Sequence, residues 1–173
     1  ISIDNQGLPS FRTFSEAPSI KSNGSRQIEG RNKPTVIDYD VKYDNLIVNS
    51  ELKLDTSNGD LEIVVKNLEM GSKGSITVIG SGSVHLYIEN NLNMSKRNKI
   101  NGSGKENSLV VIHAGNQINI QGGIGGKDQF KFSGNIYTEA SNITIQHGAS
   151  FKGKLYAPDA EINLDQGAVI KGD

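Results

Sequence analysis

No cysteine occurs in the 173 residues, so disulfide staples, thiolate metal sites, covalent haem attachment and thiol redox chemistry are all excluded. The chain is long enough to bury a continuous core without such staples. Tryptophan is absent and aromatic residues make up only 6%. Charge of one sign is lacking too: 18 basic residues stand against 19 acidic ones, for a net charge of -1. No block of five or six like charges occurs, so broad electrostatic attraction to nucleic acid or to anionic lipid is not expected. Lys96, Arg97, Lys99 and Lys105 lie close together, and the plain reading of that group is a solvated loop. No apolar run is long enough to span a bilayer and no signal peptide is visible. Any membrane attachment is therefore expected through a segment outside this sequence.

What the chain has in quantity is glycine, 20 residues of it. Leu, Ile and Val alternate with Asn, Ser, Thr and Lys through most of its length. That balance suits many short strands joined by tight corners, and a helical bundle would show a different period. Residues 1–40 lack the alternation and hold Pro9, Pro18 and Pro34, which predicts an irregular N-terminal arm. Residues 41–173 are predicted to form one domain. Its first strands are expected at Leu46-Ile47-Val48, Leu52-Lys53-Leu54, Leu61 to Val65, Ile76 to Ile79 and Val84 to Ile88, with Gly and Asn between them.

The C-terminal third repeats itself. Phe132 to Ser150 can be laid over Phe151 to Val169, and a third copy opens with Ile170-Lys171-Gly172. Phe132, Phe151 and Ile170 coincide, as do Gly134, Gly153 and Gly172. Ile136-Tyr137 falls on Leu155-Tyr156, Ile143 and Ile145 on Ile162 and Leu164, and Gly148-Ala149 on Gly167-Ala168. The segment Val111 to Ile120 is a fainter copy of Ile136 to Ile145, and Leu86 to Met94 a fainter one still. A period of about 19 residues lies in the range of stacked-coil architectures. The prediction is an all-β chain: a single-stranded β-solenoid (β-helix) with coils of about 19 residues, preceded by the irregular arm. Stacking superposes like residues in ladders, Phe on Phe and Ile on Ile. The last coil is expected to present a strand edge, covered by continuing chain, by the arm or by a second molecule.

The string Phe151-Lys-Gly-Lys-Leu-Tyr-Ala-Pro-Asp-Ala-Glu-Ile-Asn-Leu, closing with Gly167-Ala168, resembles a repeat of bacterial surface proteins. It is similar to the β-solenoid C-terminal domain of type IV pilus-associated, minor-pilin-like and anchored exported proteins. The earlier copy departs from it, with Thr138-Glu139 in place of Ala157-Pro158. The chain also resembles, less closely, the bactofilins, whose Gly-punctuated coils polymerise into scaffolds. The first resemblance implies an extracellular or cell-surface module serving adhesion or appendage assembly, without catalytic residues. The second implies end-to-end self-association.

Candidate chemistry is sparse. His85, His113 and His147 fall on different strands or corners and are expected at the surface or at corners, without a metal role. Asp159, Glu161 and Asp165 share a coil, but the preceding copy has Ala140, Asn142 and Gln146, which complete no carboxylate pair. Gly122 to Lys127 lacks the Walker spacing and reads as a corner insertion. Neither an enzyme activity nor a cofactor is expected, and a polysaccharide-active enzyme stands third among the readings. Tyr137 and Tyr156 carry the expectation for a ligand or partner surface. Alternation turns both outward one coil apart, where they face either a sugar ring or partner strand, or the N-terminal arm. The partners expected are other surface or pilus proteins, or a host or environmental glycan.

Overall fold

The computed structural model describes residues 11–30, 33–121, 129–165 and 167–171. They build a parallel β-solenoid from two sheets, in which every strand pairing is parallel. The smaller sheet has seven strands: Thr35–Ile37, Glu51–Thr56, Ser75–Gly80, Lys99–Ile100, Lys131–Ser133, Ser150–Lys152 and Val169–Lys171. The larger has ten. Arg26–Ile28, Val41–Val48, Leu61–Met70 and Val84–Met94 come first. Then the strand divides in each coil, as Leu109–His113 with Gln117–Ile120, Asn135–Thr138 with Asn142–Ile145, and Leu155–Tyr156 with Glu161–Leu164.

That division is foreshadowed in the undivided strands. Val41 and Tyr43 are buried, and so are Leu46 and Val48, so the inward face changes parity across Asp44-Asn45. Strict alternation places every second side chain on one face, so this skip marks a corner between a first half and a second half of the larger sheet. The next coil has a register shift between Val65 and Asn67 at the same corner.

Inside, like residues stack as the repeat predicts. Ile118, Ile143 and Ile162 are in register, as are Ile120, Ile145 and Leu164. Phe132 lies on Phe151 with ring centroids 4.9 Å apart and planes 4° from parallel. Apart from Ile162 and Leu164 in the last coil, these residues belong to one core cluster running from Ile28 to Phe151.

The period read from the repeats holds in the C-terminal coils and lengthens upstream. The register sets Leu155 on Ile136 and Phe151 on Phe132, the offset that the repeat alignment gives. It sets Ile136 on Val111 and Ile63 on Val41, both wider offsets. The widest sets Phe132 on Ile100. Extra residues go into corners, where a loop can grow at little cost while the rungs keep their register. The corner insertion read at Ile124 to Gln129, and the glycine run from Gly122, lie outside the described residues except for Gln129.

The solenoid also starts earlier than residue 41. Arg26–Ile28 pairs with Leu46 to Val48, and Thr35–Ile37 pairs with Leu52 to Leu54. Both strands are too short to show alternation, and Pro34 sits beside the second as a turn signal. Ahead of them, residues 11–25 do form an arm. It contains one short 3-10 turn, Phe14–Glu16, and touches the sheet backbone at Ser22 and Lys42.

Candidate functional site

The outward row of the first half runs Lys42, Val64, Tyr87, Ile112, Tyr137, Tyr156. Its middle is apolar, which an exposed sheet face would not favour, and the arm covers it. Val64, Tyr87 and Ile112 form a second, separate apolar cluster with Phe14, Ala17 and Ile20. The Phe14 ring meets Tyr87 edge-on at 6.4 Å, and Arg12 donates from Nη2 to the Tyr87 hydroxyl at 3.2 Å. Phe11 meets Tyr137 edge-on at 6.1 Å. The arm thus runs against the direction of the stack, from the coil of Tyr137 back to that of Lys42.

The two tyrosines singled out by the repeat do stack. Tyr137 and Tyr156 lie 4.4 Å apart between centroids, 12° from parallel. Tyr137 is only 8% exposed, and its burial, then the neighbouring Tyr156, pushes the phenol pKa up. Tyr156 is half-buried. Of the two occupants expected for this row, the arm is the one that lies on Tyr137.

The histidines divide differently from the expectation. His113 is 1% exposed, in the inward row that runs Ile88, His113, Thr138. Its Nε2 lies 3.0 Å from the Asn90 carbonyl and its Nδ1 2.9 Å from Thr138 Oγ1. The carbonyl can only accept, so Nε2 carries the proton and Nδ1 accepts from the threonine hydroxyl. Thr138 Oγ1 in turn accepts from the Ala140 N–H at 3.0 Å. Burial lowers the His113 pKa, against a smaller opposite effect of the Asn90 carbonyl. Of the surface-or-corner expectation, the corner holds for His113 and the surface is corrected: a fully hydrogen-bonded neutral imidazole fits the interior where the corner brings carbonyls within reach. His85 lies on the outer face with Nδ1 2.7 Å from Glu62 Oε1, and His147 follows the strand Asn142–Ile145 at an exposed position.

Asp159, Glu161 and Asp165 are all exposed. Among the described residues no group of three or more His, Asp or Glu side chains is placed to hold a metal ion. Of the basic group, Lys99 stands beside Lys131 in the next coil, and Lys152 further along pairs with Glu106 at 2.8 Å. No helix among the described residues is long and apolar enough to cross a membrane.

Sequence reading missed the outer face of the second half. One outward row there runs Glu69, Asn93, Asn119, Thr144, Asn163 in continuous register. Beside it, one outward position earlier in each strand, lie Asn67, Asn91, Gln117, Asn142 and Glu161. The signal was present as an amide–apolar–amide pattern, in Asn91-Leu92-Asn93 and Gln117-Ile118-Asn119. The amides also chain together along the stack. Asn91 Nδ2 donates to Asn67 Oδ1 at 2.9 Å, Asn67 Nδ2 to Asn45 Oδ1 at 2.8 Å, and Asn45 Nδ2 to Ser25 Oγ at 2.9 Å.

Two parallel sheets with continuous inward ladders define a β-solenoid protein of structural build. A family model described as "Domain of unknown function (DUF7305)" matches residues 38–173, and the chain belongs to that family. No curated protein and no solved structure matches the chain.

Proposed function

We propose that the chain is a non-enzymatic extracellular surface module that serves pilus-associated assembly or adhesion. The observation that carries the reading is an apolar rung left uncovered among the described residues. In the last coil Ile162 and Leu164 continue inward rows yet are 45% and 56% exposed. In the first coil Ile28 and Ile37 are 1% and 0% exposed. The uncovered rung suits a neighbour of the assembly or further chain, either of which would cover its apolar side chains. The resemblance of the Tyr-Ala-Pro repeat to pilus-associated surface proteins supports the same reading. Labelling of intact cells with an impermeant reagent, followed by co-purification with appendage components, is the test. Recovery of the labelled chain with such components is expected, and a chain protected in intact cells overturns the reading.

The exposed Ile162 and Leu164 also favour a second reading, a polymerising scaffold. Head-to-tail stacking would place Ile162 and Leu164 against a first coil whose inward Ile28 and Ile37 are already covered. Sedimentation over a wide concentration range separates the two. Filaments that lengthen with concentration and vanish on Ile162→Lys support the scaffold, whereas a monomer up to high concentration supports the surface module.

A further inference from the structure

We propose that the amide face on the second half of the larger sheet is a binding surface for a neutral, extended polysaccharide lying along the stack. The inference deepens the adhesive part of the proposed function and rests on it, and it names the face and the ligand chemistry.

Three features point to this occupant. First, the middle of the face is neutral. Asn91, Asn93, Gln117, Asn119 and Asn142 are all exposed, and each side chain offers both a donor and an acceptor. Hydroxyl groups of an uncharged sugar need that pairing. A polyanion would call for lysines and arginines, which these two rows lack.

Second, the array is regular in two directions. Neighbouring coils repeat at about 4.8 Å, close to the length of one hexose in an extended polymer, and residues i and i+2 lie about 6.6 Å apart. A chain running along the stack meets a full amide pair in two successive coils, Asn91 with Asn93 and Gln117 with Asn119, and a single amide in each flanking coil, Asn67 and Asn142. The pairing Asn93 to Asn119 to Thr144 keeps that register across coils of unequal length.

Third, part of the array is already ordered. The hydrogen bonds from Asn91 to Asn67 to Asn45 hold their side chains in place before a ligand arrives. Fixed side chains lose little freedom on binding, which is the usual cost at a polar surface. The hydrogen bonds and ring contacts of Arg12, Thr13, Phe11 and Phe14 in the arm go to the first half of the sheet or stay within the arm, away from Asn93, Asn119 and Asn142.

The test uses the whole chain and insoluble chitin and amorphous cellulose as probes in a pelleting assay. The chain is expected to pellet with at least one of them, and Asn93→Lys with Asn119→Lys to weaken that binding about tenfold or more. Both side chains point outward, so the double variant stays folded with only the small drop in melting temperature that two paired lysines cause, and Ser150→Lys on the other sheet binds as wild type. Failure to pellet with either glycan overturns the inference. So does binding that survives the double variant, or retention only on an anionic heparin matrix. A dimer that the double variant dissolves would assign the face to a second copy instead. Positive surface labelling of cells without pelleting sinks this inference and leaves the surface reading standing.

Discussion

Ile143 and Ile162 occupy the same ladder, one coil apart, and truncating each to alanine should have unequal effects. Ile143 is 1% exposed and sits between Ile118 and Ile162. Ile143→Ala removes buried methyl groups and leaves a cavity that two flanking coils cannot close, for a loss of about 2–5 kcal/mol. Ile162 is 45% exposed, so roughly half of its transfer free energy is realised and no enclosed cavity forms, for a loss of about 1 kcal/mol. Urea unfolding followed by circular dichroism reads both. With a slope of about 2–3 kcal/mol per molar, the Ile143 variant shifts its midpoint by roughly 0.7 M or more. The Ile162 variant shifts it by less than half as much. Lys154→Ala, at an exposed position, serves as the baseline at about 0.5 kcal/mol or less. Because coils contact only their neighbours, a lower slope in the Ile162 variant would report fraying of the last coil and not global loss. Equal losses for the two isoleucines would refute the reasoning, since they would mean that Ile162 is covered in solution.

A β-carbon on Gly153, at φ +130°, would collide with the Gly134 carbonyl oxygen, whereas one on Gly59, at φ +135°, meets nothing within 4 Å. Gly153→Ala should therefore lower the melting temperature by far more than Gly59→Ala, whose cost is the backbone strain alone, about 1 kcal/mol. His113 has a lowered pKa in the fold, so below its ordinary pKa near 6.5 the unfolded chain binds the extra proton first. Stability from this group is thus intact above that pH and falls as the solution is acidified through it. Urea titrations at pH values on either side of it should show a steeper loss for wild type than for His113→Gln. Phe14→Ala removes the edge-on contact to Tyr87. It should cost about 1–2 kcal/mol and raise the reactivity of Tyr87 towards nitration while the solenoid core stays folded.

The part of the fold legible in sequence was the part where coil length is constant. From Phe132 to Phe151 to Ile170 the steps are equal, so Phe, Tyr and Gly recur visibly and the register follows. Upstream, the corners absorb different numbers of residues, and Leu68 to Leu92 to Ile118 shows as a ladder only once hydrogen bonding aligns it. The first coil was hidden because Arg26–Ile28 and Thr35–Ile37 are too short to carry a period. The burial of His113 was missed for a related reason. Polarity suggested the surface, while its register with Ile88 puts it inside, where Thr138 and the Asn90 carbonyl satisfy both ring nitrogens. The amide face escaped notice because Asn and Gln on a strand read as ordinary solvated positions. Only the register shows that they form rows.

The parallel register is most directly tested by disulfide trapping, for which the absence of native cysteine gives a clean background. Lys99 and Lys131 are far apart in sequence but directly paired, and both side chains are exposed. Adjacent parallel strands at about 4.8 Å fall within the span that a disulfide bridges. Lys99→Cys with Lys131→Cys should oxidise readily to an intramolecular bond in the folded chain. Lys99→Cys with Ser133→Cys, out of register along the same strand, should not. Efficient bonding of the second pair and not the first would contradict the register, and with it the stacked-coil account.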